Sequence, residues 1–380
     1  MRPFNFDTIY IDEASRDSDV AHRIQAAFPS DKIQWVDSQF MNDHKGPLSK
    51  DQFEWSKRNV LVTPFKGHFF KRCPGASQKT ALTCCNYYVL NLGSQCNLNC
   101  SYCYLQSYLN TAIMKIYSNI DMAKAELLDM MKSFPKYPYR VGTGEIIDSL
   151  SMDELTLYSR QLIPLFKEFP HWTLEFKTKS DRVDQFLDLG PVENVHVSWS
   201  INPPVIIDSE EHGTARFEQR LTAARKIVNA GFKLAFHIDP IIYHEGWKEN
   251  YAFLVDEIVR NFSPTDLKVI SLGTLRFQPE QRLMMRERFG MNSLVNQAEM
   301  FTSDSGKMRY DWHLRTEMFQ FVLNRFKNNN PAWNIFLCME TPETWATTLN
   351  KSPMKVDGLE NLFRPLPKVK SETSESATAR

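Results

Sequence analysis

What the 380-residue chain lacks already excludes several kinds of protein. No apolar run approaches the length needed to span a bilayer, so no membrane helix is expected. The opening MRPFNFDTIYIDE has no basic segment leading into an apolar one, so no secretory leader is expected there. Net charge is also missing, because 45 Lys plus Arg balance 45 Asp plus Glu. Proteins that grip nucleic acid mainly through phosphates are usually basic. Global charge therefore gives no support to such a partner, and any nucleic-acid site has to come from a local patch. Two segments qualify, PFKGHFFKRCPG (64–75) and LRFQPEQRLMMRERFG (275–290), and each reads equally well as a solvated loop or helix face. Cysteine is scarce and odd in number, seven with three clustered, which argues against a disulfide framework and for a reducing, cytoplasmic setting. With 42% hydrophobic and 24% charged residues the remainder is ordinary globular sequence, long enough for one large domain with appendages or for two.

What is present is the run QCNLNCSYCYLQ, which sets Cys96, Cys100 and Cys103 in a C-x3-C-x2-C pattern. Three thiolates are one fewer than a closed zinc site or an electron-carrying cubane takes. On one loop they can hold three irons of a 4Fe–4S cluster and leave the fourth open. An open iron can chelate the amino and carboxylate groups of S-adenosylmethionine (SAM), pass an electron to the sulfonium and release a 5′-deoxyadenosyl radical. This spacing with its following aromatic residue resembles the signature of the radical SAM superfamily. A zinc knuckle completed by Cys84, Cys85 or a distant histidine is the competing reading.

Residues 1–85 read as irregular α/β, with a short strand at DTIYID. Beyond them, short runs rich in β-branched and aromatic residues alternate with amphipathic stretches. The strand runs are 86–93, 139–147, 172–179, 194–202, 232–240 and 267–277, with helical stretches near 121–134, 152–169, 181–189, 214–230, 247–261 and 279–289. Six successive βα units predict an α/β fold, a partial parallel (β/α)6 barrel with its helices outside. A helix near 311–328 and a strand at 332–340 follow, and the polar tail KVKSETSESATAR reads as disordered. The expected division is an N-terminal α/β region (1–85), the barrel (86–290), a C-terminal helix and closing strand (291–350) and the tail (351–380).

A parallel βα barrel does its chemistry at the C-terminal strand ends, and every expected strand brings polar groups there. The cysteines follow the first strand. Gly142, Thr143, Gly144 and Glu145 lie towards the end of the second, Lys177 and Lys179 end the third, and Ser198, Ser200 and Asn202 end the fourth. His237 and Asp239 end the fifth and Arg276 the sixth. Glu145 can accept hydrogen bonds from the SAM ammonium while Gly144 lets backbone approach the ligand. The pair is similar to the Gly-Gly-Glu element of radical SAM enzymes. Lys179 suits the SAM carboxylate, Ser200 and Asn202 suit carboxylate or ribose, and Asp239 suits either a ribose or a role positioning His237. Tyr102 can stack near the adenine, and Tyr104 can relay a hydrogen atom or pack in the core. Cys73, Cys84 and Cys85 read as small buried apolar residues. Cys338, in the closing strand, reads as a core cysteine or as a hydrogen-atom donor, with Tyr104 its rival.

The opening MRPFN, CNLNCSYCYLQ, FKTK, SINP, RLTAARKIVNAGFKLAFHIDPI and YHEGWKENY together resemble the spore photoproduct lyase family of radical SAM DNA-repair enzymes. The resemblance covers roughly residues 86–290 well, the first six residues, and the rest weakly. It implies cleavage of 5-thyminyl-5,6-dihydrothymine to two thymines, begun by removal of the lesion's C6 hydrogen and finished by return of a hydrogen atom to a thymine radical. It also implies a cluster on Cys96, Cys100 and Cys103, SAM contacts from Lys179 and Ser200, and a hydrogen relay through Tyr102 and Tyr104. The implied partners are DNA with a flipped-out thymine lesion and a flavodoxin or ferredoxin reductant, the chain acting as a monomer. One departure stands out. The family's donor cysteine precedes a Thr-Ser-Asp element, and here Gly142 occupies its place in VGTGEIID, with Glu145 in place of the Asp. A different nucleotide or protein substrate is therefore the alternative reading.

Overall fold

The computed structural model describes residues 4–350 except 38, 41–47, 74–81, 84 and 86. Cys84 and the tail 351–380 lie outside the described residues. Strands are numbered along the chain. The first eight are β1 (Thr8–Asp12), β2 (Ile33–Val36), β3 (Asn59–Thr63), β4 (Phe70–Arg72), β5 (Tyr87–Leu90), β6 (Gly93–Ser94), β7 (Asn99–Cys100) and β8 (Met114–Tyr117). The others are β9 (Arg140–Gly142), β10 (Thr173–Thr178), β11 (Val195–Ser200), β12 (Glu211–His212), β13 (Lys233–Ile241), β14 (Leu267–Thr274), β15 (Arg276–Phe277), β16 (Phe301–Thr302), β17 (Met308–Arg309) and β18 (Ile335–Leu337).

The larger sheet runs β18-β14-β13-β11-β10-β9-β5-β4. Its neighbours from β5 to β18 pair in parallel, and β4 closes the other edge antiparallel. The expected parallel barrel strands are all there, and the expected closing strand extends them beside β14. Side-chain alternation sorts each strand into two faces. On β10, Leu174 and Phe176 are buried and Phe176 meets Phe186 of the outer layer. Glu175 points the other way, into the lumen, where Arg140 of β9 and His237 of β13 both reach it at 2.7 Å.

Three stretches differ from the sequence expectation, each for a visible reason. The second strand stops at Gly142 instead of running to 147, because side chains replace the ladder there. Ser149 Oγ accepts from the Lys177 amide at 3.0 Å, and Asp148 accepts from the Lys179 amide at 2.8 Å. The helix expected over 152–169 is broken at Leu157 (φ 51°) into Asp153–Thr156 and Tyr158–Glu168. Asp153 accepts from the Ser159 amide and hydroxyl and so starts the second piece as a cap would. The stretch 181–189 is a 3-10 helix, Asp184–Leu189, ended by Gly190 at φ 72°.

The N-terminal region is a sheet in its own right, order β2-β1-β3-β8-β6. Residues 93–94 and 114–117, beyond the expected boundary at 85, supply two of its strands, and β6 and β8 pair antiparallel across the segment that contains the cysteines. The cysteine loop is therefore anchored at both ends to this sheet. Apolar residues of both sheets share one core, from Ile9 and Val62 to Leu174 and Ile270. Among the described residues no helix is long and apolar enough to cross a membrane.

Candidate active site

The cysteine loop has little secondary structure of its own and is held by side chains from four directions. Lys57, at the end of the helix Lys50–Ser56, donates to the carbonyls of Cys96 (2.7 Å) and Leu98 (2.8 Å). Strand β7 pairs antiparallel with β12, setting Cys100 opposite Glu211, while the Ser101 hydroxyl donates to Glu210. The amides of Gln106 and Gln281 both donate to the Cys103 carbonyl at 3.0 Å. Arg288 lies on the Phe53 ring, 4.2 Å from its centroid, and ties Glu54, Gln106 and Asn99 together.

The thiols are partly or wholly enclosed and lie within electrostatic reach of one another. Burial pushes the Cys96 thiol up to about 12, against the pull of Lys57, and raises Cys100 as well. Among the described residues no three His, Cys, Asp or Glu side chains are arranged around one metal ion. A cubane does not require that, because each thiolate binds a different iron. Three near but non-convergent thiols, one N–H···S contact from Leu98 to Cys96 (3.3 Å) and a lysine beside them fit a 4Fe–4S cluster by the chemistry of the donor set. Binding iron is what would convert such reluctant thiols to thiolates.

Beside the loop, the strand-end residues expected at one SAM site fall into separate groups. Glu211 is the hub of the first. Fully enclosed, it accepts from Arg220 (2.6 Å), the Tyr102 hydroxyl and Asn202 (3.1 Å), with Lys179 at 4.0 Å. Burial alone would raise its pKa, but Arg220, Lys179 and Tyr102 outweigh that and hold it down to about 2. Lys179 also sits 5.6 Å from the Tyr102 ring centre. The Asn202 amide is committed at both ends, since Tyr251 donates to its oxygen at 3.0 Å. Ser200 is buried on β11, with its carbonyl accepting from Arg220 at 2.8 Å.

Glu145 belongs to a second group, with Lys71, Lys177 and the two tyrosines Tyr104 and Tyr108. Burial pushes its carboxyl up to about 7 although the two lysines pull the other way. Tyr104 donates to its carbonyl at 2.7 Å. Gly144 has to be glycine, since a Cβ there would stand 2.7 Å from both the Lys177 carbonyl and Ser149 Oγ. Of the basic segment 64–75, Phe69 and Phe70 are core residues, and Lys71 reaches this group.

In the third group Arg276 grips Asp239 with two bonds, 2.9 and 3.0 Å, and lies 3.7 Å from the Cys338 sulfur. Burial and Asp239 push the Cys338 thiol up to about 12. His237 bonds to Glu175, not to Asp239. Arg140 and His237 outweigh burial to keep Glu175 ionised, while burial lowers His237 to about 4, leaving it neutral at pH 7. Between these groups, Gly142 leaves its side-chain position to Tyr87. A Cβ there would lie 1.4 Å from the Tyr87 hydroxyl oxygen.

Sequence reasoning missed Lys57, Asp148, Glu175, Glu211 and Gln281. Only the tandem Glu210-Glu211 hints at a role, and its partners come from the residues just after β7, β10 and β11 and from the helix Phe217–Asn229, which no spacing reveals.

The family model for spore photoproduct lyase matches residues 6–322. Spore photoproduct lyases of Geobacillus sp. and Bacillus subtilis are each 28% identical over 59% of this chain, and the matches span 65% of those relatives' length. A solved spore photoproduct lyase mutant with bound AdoMet and dinucleoside spore photoproduct superposes over 88% of this chain and 99% of its own, with TM-score 0.75 at 23% identity. A second, complexed with dinucleoside spore photoproduct, gives 0.75 at 22% identity over the same share of this chain. The fold is that of these enzymes, and the chain belongs to the spore photoproduct lyase family.

Proposed function

We propose that this chain is a radical SAM lyase that splits a thymine photoproduct in DNA to two thymines. The observation that carries the reading is the three-thiol loop, braced by Lys57, Gln281 and β12 beside a half-barrel whose strand ends and lumen are lined with polar groups. When bound, a reduced 4Fe–4S cluster on Cys96, Cys100 and Cys103 would cleave SAM to a 5′-deoxyadenosyl radical. The chain's own work is to hold the partners in place. Lys179, beside Tyr102 and Ser200, offers a cation to the SAM carboxylate, and Glu145 with its glycine turn offers an acceptor to the ammonium. Asn202 and Asp239 support these positions through Glu211 and Arg276. Tyr102 and Tyr104 carry O–H bonds next to the last cysteine, and Cys338 presents a thiol on the closing strand.

The substrate assignment follows the relatives, whose solved structures include ones with the dinucleoside spore photoproduct. For DNA contact the helix Gln281–Phe289 offers Arg282 and Arg286 together with Leu283, which is 66% exposed, and a target base flipped out of the duplex would enter the barrel mouth. A flavodoxin or ferredoxin would supply the electron to a monomer in a reducing cytoplasm. The one observation that favours a different substrate is Tyr87, whose hydroxyl takes lumen space beside Gly142. Anaerobic incubation of reconstituted protein with synthetic dinucleotide photoproduct, SAM and dithionite decides between the two: conversion of the lesion to the repaired dithymidine dinucleotide supports the lyase, and SAM cleavage without lesion loss contradicts it.

The Glu145 assignment makes its own prediction. A carboxyl at about 7 is half protonated near neutrality, and only the ionised form serves the ammonium. SAM binding should therefore tighten as pH rises through about 7. Glu145→Gln should flatten that profile and weaken binding at pH 8 by about 1.5–3 kcal/mol, the worth of a hydrogen bond to a charged group. Equal affinity in both proteins, by equilibrium dialysis with the cluster intact, would make GTGE only a turn.

A further inference from the structure

Gly142 and Tyr87 form a complementary pair at the lumen surface. In the β5–β9 register Tyr87 faces Arg140 and Val89 faces Gly142. The Tyr87 ring nevertheless climbs one pleat towards the strand ends. Its hydroxyl stands where a side chain at 142 would begin, 1.4 Å from an ideal Cβ, with the ring carbon behind it at 2.1 Å. Any larger residue at 142 would evict it. The ring rests 4.8 Å from the Arg140 guanidinium, over the Arg140–Glu175–His237 network. The hydroxyl thus stands above that network, at the position a side chain of residue 142 would take. Burial and the negative charge of Glu175 keep it a phenol.

Lesion cleavage, on which this inference rests, leaves a carbon radical on the methylene of one thymine, and that carbon needs a hydrogen atom. We propose that Tyr87 is the catalytic residue that supplies it. The phenol O–H bond breaks, the methyl C–H bond forms, and a Tyr87 phenoxyl radical remains. The phenoxyl is restored by one hydrogen atom, taken from 5′-deoxyadenosine if SAM is rebuilt, or as an electron from the reductant and a proton from solvent. Atoms and electrons balance along either route. The same geometry makes Gly142 the residue that admits Tyr87 to this place.

Two measurements test the proposal. The first needs no cofactor. Gly142→Ala should lower the melting temperature clearly in the wild-type background and scarcely at all in Tyr87→Ala, where the clash is gone; equal losses in both backgrounds would refute the pairing. The second follows reconstituted wild-type, Tyr87→Phe and Cys338→Ala proteins with dinucleotide photoproduct in D2O. Wild type should yield repaired dithymidine dinucleotide with one deuterium in a thymine methyl group, since the phenol proton exchanges with solvent. Tyr87→Phe should still consume lesion but give at least tenfold less intact thymine, the balance appearing as side products such as reductant adducts. Clean deuterated thymine from Tyr87→Phe overturns the proposal, and its loss in Cys338→Ala alone would move the role to that thiol. No lesion loss in wild type would overturn the lyase reading and this proposal together, whereas normal wild-type turnover with an unaffected Tyr87→Phe would overturn this proposal alone.

Discussion

Alanine at Cys96, Cys100 or Cys103 abolishes both the visible absorbance of the reconstituted cluster and all 5′-deoxyadenosine formation. The expected effect is complete because each thiolate serves one iron, and no fourth cysteine stands in the loop to replace a lost one. The loop should survive the loss. Its anchors are carbonyl contacts from Lys57, Gln106 and Gln281, the β7–β12 pairing and the Ser101–Glu210 bond, none of which uses a sulfur. Circular dichroism and melting temperature should therefore stay close to wild type while iron and sulfide content collapses. A variant lacking all three cysteines that still cleaves SAM would contradict the cluster assignment. Stoichiometric zinc in place of iron in anaerobically isolated protein would point to a structural knuckle instead.

Glu211→Ala is expected to be the most destabilising single change at the site. Its carboxylate is fully enclosed and answers Arg220, itself fully buried, together with Tyr102, Asn202 and Lys179. Removing one partner of a buried pair leaves the other charge without compensation, at about 3–5 kcal/mol. The loss should appear as a lower denaturation midpoint at pH 7. The pH dependence follows from the depressed pKa. A carboxyl held at about 2 in the fold, against an ordinary 4.5, stabilises fully above the unfolded value and loses that contribution as pH falls towards 2. The contribution lost over that range is about 3 kcal/mol. Glu211→Gln should remove this acid-side slope. A variant as stable as wild type at pH 7 would mean that Arg220 finds other partners.

Much of the fold was legible because its signals are local. Strand runs such as WTLEFKTK alternate apolar and polar residues with period two, and the helix at 247–261 appears at the expected bounds. The breaks were illegible because tertiary hydrogen bonds decide them. Nothing in VGTGEIIDS says that Asp148 and Ser149 will take backbone donors from β10, twenty-eight or more residues on, and so end the strand at Gly142. The N-terminal sheet was hidden for a related reason. Strand β8, MKIY, joins β3 from the far side of the cysteine loop, a pairing between residues about fifty apart. At the site, the cysteine spacing announced itself, whereas the residues that brace it act through backbone carbonyls and leave no pattern. Asn202 and Asp239 were visible as polar strand ends, but only the assembled barrel shows their side chains already engaged by Tyr251 and Arg276.

The most direct test of the central claim is an isotope measurement on the lesion itself. Dinucleotide photoproduct carrying deuterium at C6 is turned over anaerobically by the reconstituted protein with SAM and reductant, and the SAM-derived adenosine compounds are analysed by mass spectrometry. One deuterium is expected in 5′-deoxyadenosine or in recovered SAM, appearing in step with repaired thymines. Lesion repair with no deuterium transfer, or SAM cleavage that leaves the labelled lesion untouched, would contradict the central claim.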